Sequence, residues 1–279
     1  QELQSWTERL RKMTLEERLE LPEMSPRRAE IIVPGAIILQ ETMAMLGADT
    51  LTICERALRE GVVVDWMLNR GLIEDRMQFQ SSVRERSVRA SADKYHVPRA
   101  ASDRVADFVL ALFDATKGHL HNWGNAEREL LWAAAILHNA GHYISHSSHH
   151  KHSYYLIRNG ELLGYTETEI EVIANVARYH RKSFPKKKHD NYRNLITKYH
   201  RQLVTELSAM VRIAVALDRR GIGAVKAVDY YFNSTNKTLH LDVKAASPLD
   251  DCSSEMWNLQ DKKLWFEEVF NVKLMAHLN

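Results

Sequence analysis

Leu137-His138-Asn139-Ala140-Gly141-His142-Tyr143-Ile144-Ser145-His146-Ser147-Ser148-His149-His150-Lys151-His152 gathers six of the chain's fourteen histidines within fifteen residues. Apolar runs flank it, Leu130 to Leu137 before and Tyr154 to Ile157 after. The pattern places the histidines at a helix end, a loop and the next helix start. Imidazoles crowded between buried helices are where chemistry, or its remains, should be sought.

Outward from this stretch the chain reads as nearly all helical from about Ser87. The 3.6-residue period predicts helices over about 84–94, 100–117, 126–140, 150–159, 166–181, 191–200 and 202–220. Alternation then predicts a strand pair, Val225 to Phe232 and Thr238 to Lys244, around Asn233-Ser234-Thr235-Asn236. A helix near 253–270 and a last strand follow. Toward the N-terminus, residues 2–20 read as two short helices, the second opened by a capping box from Thr14 to Glu17. Ser25-Pro26 opens a helix that stops at Gly47, with Pro34-Gly35 placed to kink it. Residues 50–54 read as a strand, and a helix carrying Leu58-Arg59-Glu60-Gly61 ends near Gly71.

Hydrophobic content of 45% over 279 residues supports real cores. No uninterrupted apolar run reaches the about 18 residues of a membrane span, so no membrane partner is expected. Two cysteines, Cys54 and Cys252, form no disulfide framework, which suits a cytoplasmic setting. Net charge is +2 but uneven: residues 1–80 carry 10 Lys/Arg against 14 Asp/Glu, and the remainder 28 against 22. Six cations fall within twelve residues of one segment: Arg178, Arg181, Lys182, Lys186, Lys187 and Lys188. They read either as a solvated helix end or as a track for a polyanion. Interleaved aromatics are few (Tyr179, Phe184), which argues against nucleic acid.

The apolar stripes carry polar intruders. Leu131-Ala134 leads to His138, Ile173-Ala177 to His180, Leu207-Val211-Ala214 to Asp218, and His149 precedes Ser153-Leu156. Each alone is explained by a satisfied core histidine or a helix end. Four converging helices together point to an actual or ancestral metal centre, and a buried Asp218 requires a partner.

This set resembles the HD phosphohydrolase superfamily, whose helix bundle holds a divalent metal that activates water for attack on phosphorus. The resemblance maps His138 onto the His of the His-Asp pair, His149 and His180 onto the additional histidines, and Asp218 onto the final aspartate. Asn139 stands where the pair needs Asp, and Ala101 where the first His belongs. A two-metal site of about 3.5–4 Å separation needs anionic ligands, so the site His138, Asn139, His149, His180, Asp218 reads as degenerate.

A second resemblance spans the chain. Leu21-Pro22-Glu23-Met24-Ser25-Pro26-Arg27-Arg28-Ala29-Glu30-Ile31-Ile32-Val33-Pro34-Gly35 and Leu58-Arg59-Glu60-Gly61 resemble the second actin-like lobe of the exopolyphosphatase/guanosine pentaphosphate phosphatase family. His149-His150-Lys151-His152-Ser153-Tyr154-Tyr155 and Ala177-Arg178-Tyr179-His180-Arg181-Lys182 resemble its helical domain. One departure is Ala57, where the family usually has Gly. The resemblance implies a mainly α chain: an α/β remnant of an actin-like (ribonuclease H-like) lobe over 1–72, then an HD-like bundle over 83–279 with a small α+β appendage from about 225. It implies a C-terminal fragment of a homodimeric hydrolase. Such a fragment binds and guides polyphosphate or guanosine pentaphosphate, with Mg²⁺ and the glycine-rich phosphate loops belonging to lobes not in this sequence. It gives Arg59 and Glu60 a cleft-lining role and the Arg178–Lys188 segment an anion-binding one. The alternatives are a stand-alone, non-catalytic polyphosphate or alarmone sensor, and a weak metal-dependent phosphohydrolase.

Overall fold

The computed structural model describes residues 2–51, 62–63, 66, 78–195 and 197–278. The chain forms two compact units, residues 1–75 and 76–279. Among the described residues the structure is mostly helical, with one three-stranded sheet.

The first unit opens with α1 (Glu2–Lys12) and α2 (Leu15–Leu19). The capping box is formed: the Glu17 amide donates to Thr14 Oγ1 at 3.2 Å and the Thr14 amide to Glu17 Oε2 at 2.7 Å. Ser25 caps α3 (Pro26–Leu46), and Gly47 at φ 61° ends it. A left-handed residue at this point favours glycine. The helix continues through Pro34 to Leu46, the extent expected for it. It is also 21 residues long and apolar enough to cross a membrane by length and composition, and most of it is exposed. No uninterrupted apolar run within it reaches the length of a span, as expected. Pro34, Gln40 and Glu41 break each run but leave the average over the whole helix apolar. Of the strand expected at 50–54 only residues 50 and 51 are described, in irregular backbone. Arg59 and Glu60 lie outside the described residues.

In the second unit, α4 (Gln78–Lys94), α5 (Arg99–Thr116), α6 (Asn125–Leu137), α7 (His149–Arg158) and α8 (Glu167–Arg178) lead to α9 (Asp190–Arg193) and α10 (Lys198–Leu217). Leu203, Leu207, Met210, Val211 and Ala214 of α10 are buried because this helix packs on α5, α6, α8 and α11 (Ser253–Phe270). The strands β1 (Val225–Asn233) and β2 (Thr238–Ala245) pair antiparallel, Val228 opposite Val243, and β3 (Lys273–Leu278) joins β2 in parallel. β1 also packs on α5, where the Tyr230 hydroxyl donates to the Phe108 carbonyl at 3.1 Å.

Helix boundaries shift where capping decides them. The helix expected over 191–200 is only the single turn α9. Thr197 caps α10 instead, its Oγ1 accepting from the His200 amide at 3.1 Å. Helices expected to reach 140, 181 and 220 stop at Leu137, Arg178 and Leu217. These earlier stops set the geometry of the site.

Candidate anion site in a histidine-lined cavity

Each of the four singled-out residues sits at a helix end. His138 is the C-cap of α6, His149 begins α7, His180 follows the C-cap of α8, and Asp218 is the C-cap of α10. Helix C-termini leave carbonyls without partners. His138 Nδ1–H donates to the Ala135 carbonyl and His180 Nδ1–H to the Ala177 carbonyl, both at 2.6 Å. Those bonds fix the tautomer and leave each Nε2 as an acceptor. His149 Nε2 lies 3.2 Å from His180 Nε2, within hydrogen-bonding reach of that acceptor. Its Nδ1 lies 3.1 Å from Arg181 Nη1 and 3.2 Å from the His146 carbonyl oxygen. Arg181, His149 and His180 thus stand in line, in mutual contact at the end of α8.

The turn between α6 and α7 is locked by Ser153, whose hydroxyl accepts from the Gly141 amide at 2.9 Å and donates to the His138 carbonyl at 2.7 Å. His142 stacks on His149 with ring centroids 3.8 Å apart, and His146 Nδ1 lies 3.1 Å from His142 Nδ1.

Burial dominates the proton affinities of His138, His149, His150 and His180. It pushes His138 down to about 4, His149 to about 3 and His150 to about 4, and holds His180 well below its ordinary value, so these four are neutral at pH 7. Their unfolded values lie near 6.5, so below that pH the unfolded chain binds more protons than the folded one. Stability is complete above about pH 6.5 and falls as pH drops toward 4, by at most about 1.4 kcal/mol per pH unit for each histidine. The melting temperature is therefore expected to fall between pH 7 and pH 5. A flat profile would show these histidines to be solvated.

A cavity of about 600 Å³ collects these groups. His138, Asn139, His149, His180 and Asp218 all line it, as do Ala101, Arg181 and Lys182. Arg178 does not: its guanidinium lies over the rings of Tyr154 and Tyr179, at 5.7 and 5.8 Å. Lys186, Lys187 and Lys188 are exposed on the loop after α8, outside the lining. His142, His146, Arg212, Arg219 and Lys262, which are not among the polar intruders on the apolar stripes, also line it. Arg212 carries the one signal that could have found it, a charge amid Met210-Val211 and Ile213-Ala214.

Asp218 has the partner its burial requires, and the partner is a guanidinium. Arg104 Nε and Nη2 reach its two carboxylate oxygens at 3.1 and 3.0 Å, and the Gly223 amide donates to it at 3.2 Å. Arg104 lies one turn beyond Ala101 on α5. With Asp218 engaged, Asn139 neutral and Ala101 without a donor, the residues present do not fit a divalent ion. Among the described residues no group of three or more His, Cys, Asp or Glu side chains is arranged to hold one.

Residues 83–263 match the model of the Ppx/GppA phosphatase, domain III, and residues 1–70 that of the Ppx/GppA phosphatase family. The guanosine-5'-triphosphate,3'-diphosphate pyrophosphatase of Pseudoalteromonas translucida (strain TAC 125) is 30% identical over 204 residues, covering 72% of this chain and 38% of that protein. The protein of the same name from Vibrio cholerae serotype O1 (strain ATCC 39541 / Classical Ogawa 395 / O395) is 28% identical over 167 residues, covering 59% of this chain and 32% of that one. The chain spans less than two fifths of the length of these relatives. By the extent of the domain III match and the agreement of the N-terminal segment, the chain belongs to the Ppx/GppA phosphatase family.

Proposed function

We propose that this chain is the C-terminal part of a Ppx/GppA phosphohydrolase, comprising the end of an actin-like lobe and an HD-like helical domain. Its role is to bind and guide a phosphate polyanion, inorganic polyphosphate or guanosine pentaphosphate, toward a hydrolytic centre carried by other parts of the protein. The observation that carries this reading is the unbalanced positive charge of one cavity and the loop beside it. Arg181, Lys182, Arg212 and Arg219 line the cavity, and Lys186, Lys187 and Lys188 are exposed on the loop that follows. The relatives' names, which specify a guanosine polyphosphate, support the same ligand class.

Each Lys or Arg that neutralises a phosphate releases counterions, so affinity falls steeply with salt. Long-chain polyphosphate is expected to bind the full chain with a steep salt dependence. Replacing Lys186, Lys187 and Lys188 together by Ala is expected to flatten that slope by about 2 to 3 units in log K against log salt, near one per contact removed. Fluorescence anisotropy at several salt concentrations measures this. An unchanged slope in the triple variant would remove the loop from the track.

A further inference from the structure

The acids lining the cavity are already engaged. Asp218 is held by Arg104 and Asp261 by Lys262, while Arg220 is taken by Asp250 and Glu255. Arg181, Lys182, Arg212 and Arg219 remain, with no carboxylate within ion-pairing distance among the described residues. Three of them reach solvent, but Arg212 is 3% exposed. Its Nε donates to the Tyr179 carbonyl at 2.7 Å, and its Nη2 to the Lys182 and Ser183 carbonyls at 2.9 and 3.0 Å. Its guanidinium lies 4.5 Å over the Phe184 ring, which stacks at 4.3 Å on Trp265. Neutral groups therefore hold one face and two of its three nitrogens, while the residue lines the cavity. Burial pushes the guanidinium down to about 10, so it stays charged at pH 7.

Burying a charge without a counterion is costly, and an anion arriving from outside removes that cost. The carbonyls that Arg212 grips belong to the turn presenting Arg181 and Lys182, with Lys182 itself left-handed at φ 59°. One buried side chain thus supplies a fixed cation and sets the loop that carries two more. Arg104, meanwhile, occupies the carboxylate that an ion would need.

We propose that the cavity is a phosphate site in which guanidinium groups have taken over the charge of the divalent ion implied by the histidine pattern. Arg212 is its fixed cation, and Arg181 and Lys182 close on the anion. Four unpaired cations suit a ligand of more than one phosphate group, the diphosphate end of a phosphoanhydride. This inference rests on the polyanion reading above and locates where a chain end is gripped.

Calorimetric titration of the full chain with pyrophosphate, in the presence of a chelator, tests it. Binding is expected without any divalent ion. Arg181→Gln and Arg212→Lys are each expected to weaken it by at least about tenfold, because Lys cannot form the planar fork. Arg212→Lys also alters the loop and Arg181→Gln removes a contact to His149, so Arg219→Gln, at an exposed cation of the lining and likewise expected to weaken binding, keeps the test independent of folding. Chelator-resistant binding that falls in these variants supports the site. Pyrophosphate binding that is absent, or unchanged in Arg181→Gln, overturns it. If long-chain polyphosphate still binds in that case and is lost in the triple lysine variant, the polyanion reading stands and only the cavity assignment falls. If neither probe binds, both fall.

Discussion

Gly141→Ala is expected to destabilise the second unit by about 3 kcal/mol, the upper end for forcing extra volume into a packed region. A Cβ at this position would meet the His149 carbonyl oxygen at 2.0 Å, the Ser153 amide at 2.4 Å and the His152 Cβ at 2.8 Å. Two of these are backbone atoms at the start of α7 and cannot rotate away. The turn must open, and with it go the Ser153 bonds to Gly141 and His138 that hold the two histidine-bearing segments together. Gly35→Ala is the matched control, since its Cβ meets nothing within 4 Å. Replacing an exposed helical glycine should raise stability by up to about 1 kcal/mol. Denaturant unfolding of both variants measures the contrast. Equal stabilities would mean that the α6–α7 turn is not packed as described.

Asp218→Ala is the second large effect. The Asp218 side chain is 3% exposed and that of Arg104 26%. Removing the carboxylate leaves a part-buried guanidinium holding, among the described residues, only the Gly221 carbonyl at 2.7 Å and deprives the Gly223 amide of its acceptor. Breaking a buried pair from one side costs about 3 kcal/mol. A double-mutant cycle with Arg104→Ala isolates the coupling, expected at about 1–3 kcal/mol. The sign separates two views of this residue. Removing an unpaired ligand carboxylate from a metal centre would stabilise the apo chain. A higher melting temperature in Asp218→Ala would therefore contradict the ion pair.

The convergence of His138, His149, His180 and Asp218 was legible because three of them lie one helical step beyond an apolar stripe and His149 one step before one, and the helices that carry them share a core. Their roles were not legible. Whether a histidine faces a metal or caps its own helix depends on where the helix stops, and those stops are set by hydrogen bonds such as that from His138 to Ala135. The engagement of Asp218 depends on Arg104, 114 positions away. No local pattern pairs two such residues. The charge of Arg178, Arg181, Lys182 and Lys186 to Lys188 was plain in the sequence, yet folding divides it. Arg181 and Lys182 turn into the cavity, Arg178 lies against tyrosine rings, and the three lysines stay in solvent. The role of Arg212 is not legible locally because it lies in three carbonyls of a distant turn. The strand pair was legible from alternation and Asn-rich turn chemistry, since both act over a few residues.

The most direct measurement is a crystal structure of the chain with pyrophosphate, prepared at low salt with chelator present. The account predicts phosphate density in the histidine-lined cavity against Arg212 and Arg181, with Arg104 still on Asp218. A metal ion bound by His138, His149, His180 and Asp218, or phosphate confined to the Lys186–Lys188 loop with the cavity empty, would contradict it.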